Sequence, residues 1–212
     1  MRITVFGATG RIGGHAVEQA LAAGHKVAAV VRESSRFEVD HPSLEVFRVP
    51  GLTDEEVLRP AVDGSAAVIS GVGARGRKDG PVASGSTRAI LAAMSAVGVR
   101  RLVAVSAIPL GPVPPDESFL NRRVILPLIN AFAADVYADL RLMESDIMTS
   151  NTDWTIVRPP KLTNKPLTGR YRVGIGSTIS RTYSISRADT AHLMLAALSD
   201  PAMVGQPVSV GY

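Results

Sequence analysis

The chain reads as an α/β protein, one doubly wound parallel sheet in a single domain over residues 1–212, and three observations carry that reading. Short runs rich in Val, Ile and Ala alternate with amphipathic stretches of helical period along most of the chain. The first such run enters the first helical stretch through three glycines spaced G-x-x-G-x-x-G, at Gly7, Gly10 and Gly13. The length, with an apolar share of 46%, is enough for one full core and leaves room for no more than a small extra lobe.

Arg2 to Phe6 is a short apolar strand, and Ile12 to Ala23 has the spacing of an amphipathic helix that Gly24 ends as a C-cap. Lys26 to Val31 is the second strand, closing at Arg32, and Leu44 to Val49 is the third. Thr53-Asp54-Glu55-Glu56 supplies a capping residue and early acids, so a short helix opens there and is expected to stop at Pro60. Ala66 to Ser70 is a buried-type strand, followed by a glycine-rich basic loop from Gly71 to Gly80. Ser84 to Val97 is a long helix ended by Gly98, and Arg101 to Ser106 is the next strand.

Four prolines between Ile108 and Pro115 exclude regular structure there. Residues 121–148 read as a long helix broken around Pro127, and Trp154 to Arg158 is a strand closed by Pro159-Pro160. Periodicity is lost over residues 161–186, where Leu167-Thr168-Gly169 and Gly174-Ile175-Gly176 read as turns around a short strand, Tyr171 to Val173. This irregular lobe is expected to lie over the crevice at the strand ends and cover the substrate. A last helix opens at Arg187-Ala188-Asp189 and ends near Asp200-Pro201, and Pro207 to Val210 adds an edge strand.

Strand, glycine turn and helix together suit a dinucleotide pyrophosphate, so the sheet is of Rossmann type. Gly7 permits the tight turn out of the strand, Gly10 lets backbone approach the diphosphate, and Gly13 lets the helix lie close to the strand. The unpaired N–H groups and the positive end of the helix dipole then face the phosphates. At the end of the second strand an acidic residue would read a ribose hydroxyl, whereas an arginine accepts a 2′-phosphate. Arg32 stands there and Arg36 follows, flanking Ser34 and Ser35, which favours NADP(H) over NAD(H); Glu33 is the feature that would suit the unphosphorylated form.

Other chemistries lack their residues. Without cysteine there is no disulfide, thiol nucleophile or thiolate metal site, and His15, His25, His41 and His192 have no metal-ligand spacing, so no metal is expected. His15 and His192 are expected to face solvent. No apolar run approaches a membrane span, and the first strand leaves no room for a signal peptide, so the cytoplasm is the expected compartment. The net charge is +4, yet the arginines are scattered and aromatics are 5%, so neither a nucleic-acid platform nor a membrane surface is indicated. The expected partner is a small molecule, with the protein a monomer or weak homodimer.

Gly7 to Gly13, Val31-Arg32-Glu33-Ser34-Ser35-Arg36, Ser106-Ala107, Trp154 to Pro160 and Pro166-Leu167-Thr168-Gly169 together resemble the atypical short-chain dehydrogenase/reductases. More narrowly, the chain is similar to the flavin reductase/biliverdin-IXβ reductase group and its bacterial NAD(P)H-binding relatives. The resemblance runs nearly end to end. It implies NADPH lying across the strand ends and direct hydride transfer to a flavin, held as substrate rather than as a prosthetic group, or to a tetrapyrrole.

The resemblance further implies that Gly7, Thr9, Gly10 and Ile12 hold the pyrophosphate, within a turn that includes Arg11 and Gly13. Arg32, Ser35 and Arg36 would hold the 2′-phosphate; Gly73, Ala74 and Arg75 would line the cofactor after the fourth strand; Ser106 and Pro159 would border the nicotinamide. There are departures. Where relatives carry an Asp against the adenine this chain has Gly51 followed by Leu52, with Asp54 nearby, and the His after the Pro-Pro pair is Lys161.

Most short-chain reductases protonate product with a Tyr four residues before a Lys, whose cation lowers the phenol pKa. Here Tyr137 and Arg141 hold that spacing, with Glu144 one turn on. Flavin reduction needs such an acid little, because positioning two rings does most of the work. Ser106 is the candidate for a hydrogen bond to nicotinamide or acceptor, and Lys161, with the basic loop Arg75-Gly76-Arg77-Lys78, for drawing in an anionic acceptor. Two other classes stand beside the reductase. One is a non-catalytic NAD(P)H-binding redox sensor, favoured by the degenerate Tyr-x-x-x-Arg; the other is a sugar-nucleotide isomerase or epimerase, weakened by the short C-terminal part.

Overall fold

In the computed structural model, residues 1–74, 80–115, 117–120, 123, 128 and 133–212 are described. The strands are β1 (Arg2–Phe6), β2 (Lys26–Arg32), β3 (Leu44–Val49), β4 (Ala67–Ser70), β5 (Arg101–Val105), β6 (Asp153–Arg158), β7 (Lys161–Thr163), β8 (Arg172–Ile175), β9 (Ser184–Ser186) and β10 (Gln206–Gly211). The α-helices are α1 (Arg11–Ala22), α2 (Glu55–Val62), α3 (Val82–Ala96), α4 (Ala134–Met148) and α5 (Arg187–Ala197). Eight strands form one sheet in the order β3-β2-β1-β4-β5-β6-β10-β8, parallel except for the β10–β8 pair.

The strand sequences explain the layers. β2 is buried at all five positions from Val27 to Val31, as a strand covered on both faces must be. One face carries Ile3, Val5, Val103 and Val157 against α1 and α5; the other carries Phe6, Ala104 and Ile156 among residues of α2, α3 and α4. Reversal of strand order at β1 opens a crevice beyond the carboxyl ends, beside the glycine turn.

Several expected boundaries shift, each for a physical reason. α2 continues through Pro60 to Val62. An interior proline costs roughly 3 kcal/mol. Burying Leu58 and Val62 completely is worth about 1.5–3 kcal/mol each, which offsets it. The Ala61 carbonyl also accepts from Thr4 Oγ1 at 2.7 Å. The expected helix break around Pro127 lies outside the described residues.

Residues 161–186 are more regular than their lost periodicity suggests, since they contribute three strands. β7 and β9 form a small parallel sheet of their own. β8 runs on through Gly174 and Ile175, where a turn is expected, and only Gly176 has a left-handed φ of 66°. β10 is therefore no edge strand: β6 lies on one side of it and β8 on the other.

Candidate cofactor and acceptor site

The glycine turn is held by contacts that exclude side chains. A Cβ on Gly13 would stand 2.2 Å from the Gly7 carbonyl oxygen. Gly7 itself has φ 74°, and its Cβ would meet the Gly71 backbone at 2.8 Å. Gly10 donates to the Gly7 carbonyl at 2.8 Å and caps α1 with no side-chain bond of its own. No acidic residue occupies the first turn of α1. That helix end keeps its unpaired N–H groups and positive dipole available, as a diphosphate requires.

Beside the turn, Thr9, Arg32, Ser34, Ser35 and Arg36 line an open cleft of about 370 Å³. Arg32 is exposed, and among the described residues its guanidinium has no hydrogen bond or ion pair. Ser35 donates its backbone N–H to the Arg32 carbonyl at 2.8 Å, which fixes the loop. Arg36 is half engaged, its Nε donating to Glu38 at 2.7 Å between two exposed side chains. An unpaired arginine, a second arginine in a weak surface pair and two hydroxyls form a donor set for a phosphate dianion.

The rest of the cofactor track is partly apolar. Leu52 packs against the core layer of α2 and α3, and Asp54 caps α2 by accepting from the Glu56 N–H at 3.0 Å. Gly73 has open space around it and Ala74 is half-buried. Arg75, with the remainder of the basic loop to Lys78, lies outside the described residues.

At the other end of the crevice, Ser106 continues β5, its N–H bonded to the Val157 carbonyl at 2.7 Å. The residue is 8% exposed, and among the described residues its buried Oγ has no hydrogen-bond partner. Buried hydroxyls are normally paired, so this one is suited to a group that arrives from outside the chain. Pro159, buried just after β6, accepts from Ile108 N–H at 3.0 Å and ties the loop after β5 to the end of β6.

The free helix end, the unpaired Arg32 and the orphaned Ser106 hydroxyl all fit NADP(H). The first would hold pyrophosphate, the second the 2′-phosphate, and the third would meet the nicotinamide end. When bound, the cofactor supplies a hydride.

Tyr137 and Arg141 share α4, one turn apart. Tyr137 is half-buried, and burial raises its phenol pKa rather than lowering it. Arg141 is exposed, and Glu144 instead forms a two-bond pair with Arg158. Lys161 begins β7 as an exposed side chain. His192 is not free in solvent: its Nδ1 lies 2.6 Å from the Tyr171 hydroxyl. Burial, with the Asp189 charge adding to it, pushes that phenol's pKa up to about 12.

Sequence reasoning missed the residue that organises the segment after Pro160. Asp189 is fully buried and accepts from the N–H groups of Thr168 and Gly169 at 2.9 and 2.8 Å. The hydroxyls of Thr168, Ser186 and Tyr212 also donate to it. Burial alone would raise its pKa; those donors prevail and bring it down to about 2. Ser186 and Asp189 also make a reciprocal cap at the start of α5, and Ser-x-x-Asp is a signal that could have shown it. The link to Pro166-Leu167-Thr168-Gly169 spans twenty residues and has no local signal. Asp139 is similar, its carboxylate on α4 accepting from Ala83 and Ser84 N–H at the start of α3.

A family model described as NAD(P)H-binding matches residues 7–201, and the chain belongs to that family. It is 32% identical over 205 residues to an uncharacterised chloroplastic protein of Arabidopsis thaliana, covering 93% of this chain and 71% of that one. Its fold is shared with a short-chain dehydrogenase/reductase from Veillonella parvula solved in complex with NADP. That match has a TM-score of 0.82 at 19% identity and covers 100% of this chain and 94% of the other. ChuY, an anaerobillin reductase from Escherichia coli O157:H7, has the same architecture at a TM-score of 0.75 and 23% identity, with 99% and 96% covered. Among the described residues no helix is long and apolar enough to cross a membrane.

Proposed function

We propose that this protein is an NADPH-dependent reductase that passes hydride directly to a flavin or a tetrapyrrole-like acceptor, the flavin being substrate and not a resident group. The observation that carries the reading is a pair of groups without partners among the described residues, both at the carboxyl ends of strands of one sheet: the Arg32 guanidinium at β2 and the buried Ser106 hydroxyl just after β5. The first suits a phosphate dianion and the second a ring brought to the strand end. Gly7, Gly10 and Gly13, with Thr9, Arg11 and Ile12, would seat the diphosphate; Arg32, Ser35 and Arg36 would choose NADPH. Ser106 and Pro159 would hold the nicotinamide face, and Lys161 would draw in an anionic acceptor.

A raised Tyr137 pKa does not disfavour this chemistry, because hydride transfer to a conjugated ring needs alignment more than a tyrosine acid. The same observation favours the second reading, a non-catalytic NAD(P)H-binding sensor, over a carbonyl reductase of the Tyr-x-x-x-Lys type. We place the protein in the cytoplasm as a monomer or weak homodimer acting on small molecules, with neither nucleic acid nor membrane as partner. Sedimentation of the purified chain tests the oligomeric part of this.

The experiment is the decay of NADPH and NADH absorbance with pure protein, with and without FMN, riboflavin or biliverdin. Acceptor-dependent oxidation of NADPH well above that of NADH, with the preference lost in Arg32→Ala, supports the reductase. Tight NADPH binding with no turnover on any of these acceptors overturns it in favour of the sensor.

A further inference from the structure

The register of the sheet sets a second polar group beside Ser106. Val105 and Val157 are partners across β5 and β6, so the next residues on each strand, Ser106 and Arg158, are lateral neighbours. In a parallel sheet such neighbours project to the same face, about 4.8 Å apart between strands. Ala104 and Ile156, two residues earlier, both pack in the layer of α3 and α4, so Ser106 and Arg158 form the next layer up on that side. Arg158 is 9% exposed.

Its guanidinium is fixed as a fork. Nε donates to Glu144 Oε1 at 2.9 Å and Nη2 to Oε2 at 2.6 Å, and Glu144 is itself buried on α4. Nη1 faces away from the fork and has no partner among the described residues. It lies beneath Gly111, where an added Cβ would stand 3.3 Å from it and 2.6 Å from Thr178 Oγ1. A buried ion pair of this kind is weak evidence for stability, since apolar residues of the same volume often serve a fold equally well. Here it fixes a charged donor edge on the residue lateral to Ser106, whose buried hydroxyl has no partner among the described residues.

We propose that Arg158 Nη1 and Ser106 Oγ form a two-donor anchor for a ring carbonyl oxygen of the acceptor, with Glu144 as the positioning residue. The inference rests on the reductase reading and names the acceptor chemistry at that same site. Strand order assigns the anchor to the acceptor end: β6 lies three strands from β1 and its glycine turn, beyond β4 and β5 along the crevice. Both flavins and bilins carry carbonyls conjugated to the atom that accepts the hydride. One hydride, carrying two electrons and a proton, passes to the conjugated acceptor and oxidises the dihydronicotinamide. Negative charge then spreads to the carbonyl oxygen, where Arg158 and Ser106 donate hydrogen bonds to it, and a proton from water completes the reduction. Donors fixed in advance where charge develops are the effective ones.

The test uses riboflavin fluorescence quenching with NADP⁺-loaded full-length protein, together with NADPH titration, thermal melting and steady-state reduction. Ser106→Ala is expected to weaken riboflavin binding about fivefold and NADPH binding by no more than about twofold, since the phosphate contacts at the other end carry most of the cofactor's affinity. Arg158→Met alone strands Glu144 and risks misfolding, so the double variant Arg158→Met/Glu144→Met is the decisive one. It is expected to melt as the wild type does and bind NADPH normally, while riboflavin binding falls at least tenfold and acceptor KM rises in step. Glu144→Gln, which keeps the shape and loses the charge, is expected to raise acceptor KM several-fold with NADPH affinity unchanged. A folded double variant that binds and reduces riboflavin as the wild type does overturns the anchor alone. Wild-type protein that binds neither riboflavin nor biliverdin overturns the reductase reading and the anchor with it.

Discussion

The two ends of the crevice are built in different ways. At the nucleotide end, the contacts that set the turn and the loop are mostly between residues close in sequence: Gly7 to Gly10, Gly13 to Gly7 and Ser35 to Arg32. Gly71, Arg48 on the Ser35 carbonyl and Val49 on the Glu33 N–H are added from neighbouring elements. At the β5–β6 end the shaping contacts are long-range. Arg158 is held by Glu144, α3 is capped by Asp139, and the Thr168-Gly169 turn is held by Asp189. Local contacts of fixed spacing leave a motif in the sequence; contacts between separate elements leave isolated residues whose meaning appears only after folding. The nucleotide end is thus a motif with a shape, and the acceptor end is a set of buried polar groups brought together by the sheet.

That contrast yields experiments of decreasing expected effect. Gly13→Val places atoms 2.2 Å from the Gly7 carbonyl, a clash with rigid backbone rather than with a movable side chain. Overpacking of this sort costs on the order of 1–3 kcal/mol or more, and NADPH binding is expected to disappear. Urea melts and a cofactor titration read both, and normal NADPH binding by this variant would contradict the close helix–strand approach.

Asp189→Asn is expected to destabilise the fold by about 2 kcal/mol, because five donors then face a neutral amide that accepts less. The sign with pH follows from the lowered pKa. Asp189 titrates at about 2 in the fold against an ordinary 3.8, so its contribution is complete above pH ~4. It is lost as the pH falls toward about 2, and the variant's stability should be flatter across that window. Equal acid sensitivity of wild type and variant would remove Asp189 from this role.

Effects on ligand choice come next. Tyr137→Phe is expected to change acceptor turnover less than twofold, since burial raises the phenol pKa and Arg141 is exposed. A loss of tenfold or more would restore the tyrosine acid. Smallest of all is Glu38→Ala, which frees Arg36 from an exposed pair worth under ~1 kcal/mol. NADPH affinity is expected to rise by no more than about threefold, measured by fluorescence titration at low salt.

How far the sequence could be read follows the same division. The strand–helix alternation, the glycine turn, the Arg32–Arg36 pair and the position of Ser106 are all readable, because each depends on local spacing or on where a strand ends. Pro60 misleads as a helix stop because burial of Leu58 and Val62 outweighs a local preference. The short strand read at Tyr171 to Val173 is found as β8, but it runs on to Ile175 with Gly174 inside it because that half pairs with β10, which no local signal shows. Tyr137 draws attention through its spacing from Arg141, while Arg158 looks like an ordinary strand end; register and Glu144 give it a second meaning.

The division of labour between the two ends has one decisive measurement, a two-ligand titration of wild type, Arg32→Ala and Ser106→Ala with NADPH and then with riboflavin. Arg32→Ala is expected to weaken NADPH about tenfold or more and to leave riboflavin binding to the cofactor-saturated protein unchanged, whereas Ser106→Ala is expected to weaken riboflavin about fivefold and NADPH by no more than about twofold. If both variants weaken both ligands alike, or neither variant weakens either, the crevice does not work as a phosphate reader at one end and an acceptor anchor at the other.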